Sequence, residues 1–549
     1  MMHRHSRESY YVVGEGDLSF DAERNPVSSR PSARSELRRF RFSRLGPVGE
    51  QVDPALAQEL AAAMTVEQDT SGAAPVEPVP AGFTYLGQFV DHDLTLDRTA
   101  VDFGEDVSLE DLIAGRSPAL DLDALYGRGP ERDRHLYTDG VHLKVGTTAA
   151  VPLDGANTNR TGFDLPRKGT GETKAEERSA VIPDARNDEN LAVAQTHLAF
   201  IHFHNKVADV LAAEGVPPAQ LFERARAEVV RHYQWLLRTD YLPRIADPAV
   251  VTEVFTNGRR FFEPAPDAHD AATMPIEFSV AAFRLGHSMA RATYQWNRFF
   301  RAGAPAGIAT MLQLFIFSGT SGTLSPTGNP ADLDDPNAGT FLRLPTNWIV
   351  DWRRLHDFPG AGRPDLGVPE GEGNVARRID TLLTNPLATL PAGTFDGRGQ
   401  NLAPDDIQRN LAYRNLIRAN MVKLASGQQM AAFFGVKELT GDELLSGDGQ
   451  GANLAALSEE HREALVARTP LWFYILREAE VHGGKLGAVG ATIVAEVFSR
   501  CMDAARYSIL REPAWRPRFG TAEGRFGMAD LLLFAFDGDP AKLNPLGDG

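Results

Sequence analysis

The sequence predicts a predominantly α protein with long loops and little β structure. Three observations support this. Apolar residues recur at helical spacing in one long stretch after another, few stretches show the period-two alternation of strands, and no period repeats along the chain. At 549 residues, length alone would suggest about three or four domains, but the helical stretches share apolar faces without an evident linker. The expected organisation is therefore an N-terminal arm over 1–50, partly mobile, followed by one large helical domain over 51–549.

Composition excludes several classes. A hydrophobic content of 43% and a charged content of 23% are ordinary for a soluble globular protein. A net charge of −17, from 56 basic and 73 acidic residues, argues against general nucleic-acid binding and against anchoring to an acidic membrane surface. Cys501 is the single cysteine, so no intramolecular disulfide can form. The N-terminus, MMHRHSRESYYVVGEGDLSF, lacks the apolar core of a secretory signal. No stretch reaches the roughly 18 apolar residues of a transmembrane helix; the best candidate, Ile308 to Phe317, is short and contains Gln313. The cytoplasm is the expected compartment, with export by another route left open.

In chain order, Ser29 to Arg44 is rich in arginine and serine and reads as a solvated arm. Pro54 to Met64 reads as a short helix, and Gly72 to Gly82, with three prolines, as a loop. The rest of the chain is organised around Phe83 to Leu96, FTYLGQFVDHDLTL. As a helix this stretch buries Phe83, Leu86, Phe89, Val90 and Leu94. Gln88, Asp91 and His92, at i, i+3 and i+4, then share a face, while Asp93 is rotated by about 100° toward another partner. An amide, a carboxylate and a histidine thus converge; a solvated stretch with a satisfied histidine is the plain alternative.

Asp111 to Gly127 follows. Ser117, Ala119, Asp121 and Asp123 stand at every second position, and an extended loop would aim all four to one side. Such oxygens, with backbone carbonyls, suit a hard cation such as Ca²⁺, an ordinary acidic turn being the alternative. Val141 to Val181 reads as a long surface loop. Next come DARNDEN (184–190) and LAVAQTHLAFIHFHNKVADVLA, a buried helix by its apolar spacing. With a helix start near Arg186, Arg186 and Glu189 share a face. His202 and His204 diverge by about 200° on a helix and cannot ligate one ion together; with His197 they read as core or surface polar residues. Helix continues from Ala212 to Leu242, with Pro243 as a stop.

Glu277 to Trp296 reads as a third strong helix. On it His287 sits among Val280, Phe283, Leu285 and Met289, flanked by Arg284 and Arg291. Taken alone it is either a structural histidine or a ligand. Gly319 to Gly339 and Pro359 to Gly373 are loops. Asp406 to Phe433 is helical, with Asn415 and Arg418 at i, i+3, and Glu459 to Glu480 and Leu486 to Leu510 are late amphipathic helices.

Four blocks in one order resemble the animal haem peroxidase (peroxidase-cyclooxygenase) superfamily: GQFVDHD (87–93), DARNDEN (184–190), FRLGHSMAR (283–291) and LAYRNLIR (411–418). The resemblance covers residues from about 80 to about 510 and is similar to the catalytic domain of myeloperoxidase, in a bacterial-type member without signal or disulfides. It implies a single large helical haem peroxidase domain. It also implies residue roles. His92 matches the distal histidine, Gln88 the glutamine beside it, and Arg186 the distal arginine. His287 matches the proximal iron ligand, Asn415 the residue that holds its imidazole, and Arg284 a haem-binding neighbour. Asp91 and Glu189 match the carboxylates that form esters with haem methyl groups. Asp93, Ser117, Ala119 through its carbonyl, Asp121 and Asp123 match a calcium site, Asp123 standing where the family usually has serine. The implied cofactors are haem b, ester-linked, and Ca²⁺; the implied partners are hydrogen peroxide and a small reductant.

The chemistry gives these residue types their sense. Splitting peroxide needs a base that takes a proton from one oxygen and returns it to the other, which a neutral imidazole can do. Arg186, always cationic, would stabilise the departing oxygen, leaving an oxoferryl haem to take electrons from halide, thiocyanate or a small aromatic donor. Asn190 stands where myeloperoxidase has a methionine bonded to a haem vinyl group, so that link is not expected and chloride oxidation is disfavoured. Arg284 stands where cyclooxygenases carry their radical tyrosine, and the fatty-acid dioxygenases lack the arginine matched by Arg186. Both departures favour a peroxidase over the alternative, a haem-dependent fatty-acid dioxygenase. A non-catalytic haem- or calcium-binding protein is the third reading, opposed by the retention of both His92 and Arg186.

Overall fold

The computed structural model describes residues 17–20, 26–29, 40–65, 77–99, 101–266, 272–325, 333, 335–390, 403 and 406–548. The expectation of a partly mobile arm falls mostly outside this set. Helices dominate: α1 (Pro54–Met64), α2 (Gly82–Leu94), α3 (Asp123–Tyr126), α4 (Lys174–Arg178), α5 (Leu191–Ala213), α6 (Pro218–Leu236), α7 (Leu242–Ile245), α8 (Pro248–Asn257), α9 (Gly286–Met289), α10 (Met311–Ile316), α11 (Leu411–Met421), α12 (Gly427–Phe434), α13 (Gly441–Ser446), α14 (Glu459–Ala467), α15 (Leu471–Val481), α16 (Ala488–Ala504), α17 (Met528–Ala535) and α18 (Pro540–Leu543). Among the described residues, strands are short and form only two-stranded sheets, for example Gly146–Thr147 with Thr161–Asp164. Among the described residues, no helix is long and apolar enough to cross a membrane.

One contiguous cluster of buried apolar side chains runs from Phe40 to Leu543. Its centre is α5, which is apolar on nearly every side and buried along most of its length, as a core helix must be. Asn190 starts α5: its side chain accepts from Val193 N and satisfies an otherwise orphaned donor. Helix α2 lies across α5. Phe89 of α2 stacks on Phe200 at 4.6 Å between ring centres and meets Tyr233 of α6 edge-on at 6.4 Å. Burying Phe89 completely contributes about 1.5–3 kcal/mol and fixes the rotation of α2, so its polar face is fixed too. Gly87 permits a close approach on that helix, since a Cβ there would lie 2.4 Å from the Tyr241 hydroxyl.

Several expected elements are interrupted. The Glu277–Trp296 helix is a π-helical turn over Glu277–Ala281, a 3₁₀ turn over Ala282–Leu285 and then α9, and the chain turns extended at Ala290. Beyond it, the Trp296 indole donates to Trp348 O and Asn297 to Ile349 O, so tertiary hydrogen bonds replace the helical ladder. Pro243 does not end a helix. A π-helical turn over Leu237–Tyr241 separates α6 from α7, and Pro243 falls in the first turn of α7, where its missing N–H costs nothing. Arg186 is not on α5 but on a 3₁₀ turn, Ala185–Asp188. The 141–181 stretch is not all loop: it contains a strand pair and α4, whose Arg178 is buried.

Candidate active site

Helix α2 brings Gln88 and His92 to one face and turns Asp93 away, as the helical spacing requires. His92 is 4% exposed. Its Nδ1 lies 2.9 Å from Asn187 Oδ1. With that oxygen accepting, Nδ1 carries the proton and Nε2 is the basic nitrogen. Nε2 lies 3.6 Å from Glu189 Oε1. Burial, helped by the nearby Arg186 charge, pushes the His92 pKa down to about 3, so the ring is neutral at ordinary pH. Burial likewise lifts Glu189 to about 8. Gln88 Nε2 donates to Glu189 Oε1 at 2.5 Å. Asp91 accepts from Thr95 Oγ1 at 3.0 Å, and burial raises its pKa against the opposing charges of Arg186 and Arg284.

Arg186 is clamped. Asp184 accepts from its Nε at 3.1 Å and its Nη2 at 2.8 Å, and Nη2 also donates to the carbonyls of His92 and Thr95. Its Nη1 makes no hydrogen bond among the described residues. Asp184 is itself held by Arg116, whose Nε donates to Asp184 Oδ2 at 2.9 Å and to His92 O at 3.1 Å. Burial opposes ionisation of Asp184, but Arg116 and Arg186 hold its pKa well below the usual carboxylate range.

On the opposite side, α9 carries His287. Asn415 of α11 places its amide nitrogen 3.0 Å from His287 Nδ1, and Arg284 Nη1 donates to Asn415 Oδ1 at 3.0 Å. The Arg284 bond holds the amide oxygen on its own side, so accepting from Nδ1–H, the arrangement a metal-bound imidazole needs, would require the amide to turn over and give up that bond. His287 Nε2 has no hydrogen-bond partner among the described residues. Burial, with Arg284 nearby, lowers its pKa to about 3. A Cβ on Gly286 would meet nothing within 4 Å.

These two sides lie close together, α2 packing against α9. Asp91 feels both Arg186 and Arg284. Desolvation dominates the shifts at Asp91, Glu189, Arg284 and His287, yet each keeps accessible surface, as groups lining an internal cleft do. Glu189 is 19% exposed and Arg186 26%. At the rim, Arg418 pairs with Asp97.

Asp93 points into a separate acidic cage with Asp121 and Asp123, whose carboxylate oxygens lie within 4.8 Å of one another and are all buried. Ser117 Oγ is buried there without a hydrogen-bond partner among the described residues. The Ala119 carbonyl accepts from Asp121 N at 3.0 Å, leaving a second lone pair. The loop is not a simple extended one: Leu122 is left-handed (φ 61°), which turns Asp123 into α3 and back toward Asp93. Burial, then repulsion from Asp123, raises the Asp93 pKa well above its usual value. Arg116 Nε lies 3.9 Å from Asp123 Oδ1, so one guanidinium touches both cage and cleft.

Sequence reasoning assigned no role to Arg116, Asp184 or Asn187. The signal for Asp184 was its place two residues before Arg186; Arg116 and Asn187 carried none, because only the folded chain buries them. His197, His202 and His204 are not brought together. His202 bonds to Gly162 O, and His204 sits between Tyr126 Oη and Val141 O.

Residues 98–304 match the model of the animal haem peroxidase family. A peroxidase-like protein of Margaritifera margaritifera is 31% identical over 116 residues, 20% of this chain, and the match spans only 14% of that protein's length. The fold resembles peroxidase A from Dictyostelium discoideum, with a TM-score of 0.53 and 16% identity over 85% of this chain and 88% of that one. It also resembles the fatty acid alpha-dioxygenase of Arabidopsis thaliana, with a TM-score of 0.54 and 13% identity over 92% of this chain and 75% of that one. The family match falls on the segment that carries Arg186, Glu189 and His287, and the helical fold described above is shared with these solved structures.

Proposed function

We propose that the chain is a haem peroxidase that reduces hydrogen peroxide and oxidises a small donor, a halide, thiocyanate or small aromatic. The observation that carries this reading is the pairing of a neutral His92, its Nε2 toward the cleft, with Arg186, whose Nη1 is uncommitted. The surrounding residues fit haem. His287 offers a free Nε2 and has Asn415 behind it, Gly286 leaves space beside it, and Asp91 and Glu189 bring carboxyls for ester links. When bound, haem supplies the electrons that cleave the peroxide O–O bond. His92 Nε2 takes the proton from one peroxide oxygen and delivers it to the other, which leaves as water. The Asn187 bond keeps the proton on Nδ1 so that Nε2 stays basic. Arg186 stabilises the negative charge that builds on the leaving oxygen, and its Asp184 clamp holds it in place without reorganisation. The cage fits Ca²⁺ through Asp93, Asp121, Asp123, Ser117 Oγ and the Ala119 carbonyl, an all-oxygen donor set.

Fatty-acid oxygenation is the second reading, favoured by the fold likeness to alpha-dioxygenases. It is opposed by Arg284, which occupies the position three before His287 and is bonded to Asn415. The test is direct. Protein purified with haem supplied should show a Soret band and consume peroxide with bromide, thiocyanate or a phenol, and part of the haem should resist acid–acetone extraction. Oxygen uptake with an unsaturated fatty acid, without peroxide turnover, would replace the first reading by the second. No haem band from folded protein would leave a non-catalytic role.

A further inference from the structure

Asn190 has a second bond besides its helix cap. Its Oδ1 accepts from Val193 N at 2.9 Å. A backbone N–H can only donate, so the orientation of the Asn190 amide is fixed, not a matter of choice. Its Nδ2 must therefore be the donor in the 2.8 Å bond to Gln88 Oε1. That in turn commits Gln88 to turn its NH₂ group toward Glu189, at 2.5 Å, on the side of the cleft where Glu189 Oε1 lies 3.6 Å from His92 Nε2. Asn190 is 5% exposed and bridges α5 to α2, whereas Gln88 keeps accessible surface.

We infer that Asn190 is a positioning residue that sets the hydrogen-bond polarity of the His92 pocket: through the cap of α5 it makes Gln88 present N–H donors, not its carbonyl, to the cleft. The pocket then favours small anions and lone-pair-bearing molecules over cationic ones. This deepens the peroxidase reading and rests on it for its functional consequence.

Two variants separate polarity from fold and from charge. Asn190→Ser keeps a capping oxygen and frees Gln88. Asn190→Asp also keeps the cap, but its second oxygen can only accept, so Gln88 must turn over and show its carbonyl to Glu189. Both should melt within about 2 °C of the parent, because the cap survives. Fluoride is the probe, since an anion on ferric haem draws on pocket N–H donors. Its Kd, read from the absorption spectrum, should rise about tenfold in Asn190→Asp and about threefold in Asn190→Ser. A crystal structure of haem-free Asn190→Asp should show the Gln88 amide reversed. Fluoride affinity unchanged in the serine variant would mean that any loss in the aspartate variant is plain charge repulsion, and the inference would fall. An unreversed amide would sink it as well. Should the parent take up no haem, the peroxidase reading fails, while the amide orientation in the haem-free variant still decides the role of Asn190.

Discussion

The two walls of the cleft are built to different standards. His92 stands on a regular helix whose rotation is fixed by stacked aromatics. Its ring is oriented by Asn187, and its carbonyl is tied down by both Arg116 and Arg186. His287 stands on one short turn after a backbone that changes pitch twice within thirteen residues, and among the described residues its ring has a single hydrogen bond, to Asn415. The difference follows from the work proposed for each. A group that moves protons must be held in one tautomer and one direction beforehand, because nothing else positions it during reaction. An iron ligand needs one lone pair aimed correctly, and the bond to iron supplies the rest.

Substitutions should expose that asymmetry. His92→Ala should keep the Soret band and lower the rate of peroxide reduction by about a thousandfold, measured by stopped-flow absorption. Retention of the parent rate would remove His92 as the base. His287→Ala should act on cofactor binding instead, with haem retained after gel filtration reduced about a hundredfold; a full Soret band would place the ligand elsewhere. A smaller effect is expected at the cage. A chelator should lower the parent melting temperature by a few degrees, equivalent to about 3 kcal/mol for a cation held at a hundred times its Kd, and Asp123→Asn should melt low with or without chelator. Equal sensitivity in both proteins would rule out cation binding there.

The smallest effect concerns pH. Glu189 has its folded pKa raised from 4.5 to about 8. The native state therefore holds this proton more tightly than the unfolded chain, and the stability it gives is full below about pH 4.5 and lost as pH rises through 8. In the haem-free protein, Glu189→Gln should be neutral near pH 4.5 and stabilising above pH 8, by on the order of 1–2 kcal/mol in denaturant melts. A pH-independent difference would show that the carboxyl is ionised in the native cleft.

The sequence made much of α2 legible, since apolar spacing placed Phe89 inward and left Gln88 and His92 on one face. Motif order identified the 184–190 and 283–291 segments, but not their backbone. Around His287 the apolar pattern continues past Ala290, yet Trp296 and Asn297 find partners at Trp348 and Ile349, and distant hydrogen bonds outweigh local periodicity. Arg116, and its pairing with Asp184, were illegible for a related reason. Isolated in loops, an arginine and an aspartate read as solvent-facing, and only long-range packing makes them a buried pair.

The acidic loop also carries a consequence for how the chain is made. Leu120, in the middle of the cage loop, gives its N–H to Cys501 O, and its carbonyl accepts from Gln234, which in turn bonds to Tyr507 and Ile509. Asp93, Asp121 and Asp123 leave the ribosome early, but the backbone that shapes their loop is completed only after residue 501 has followed. During synthesis the nascent chain thus carries the three carboxylates well before the backbone that gathers them is complete. For the cation proposed above, capture would be a late, chain-completion event, and a truncated product ending before α16 would leave the ribosome without the backbone that shapes the cage loop.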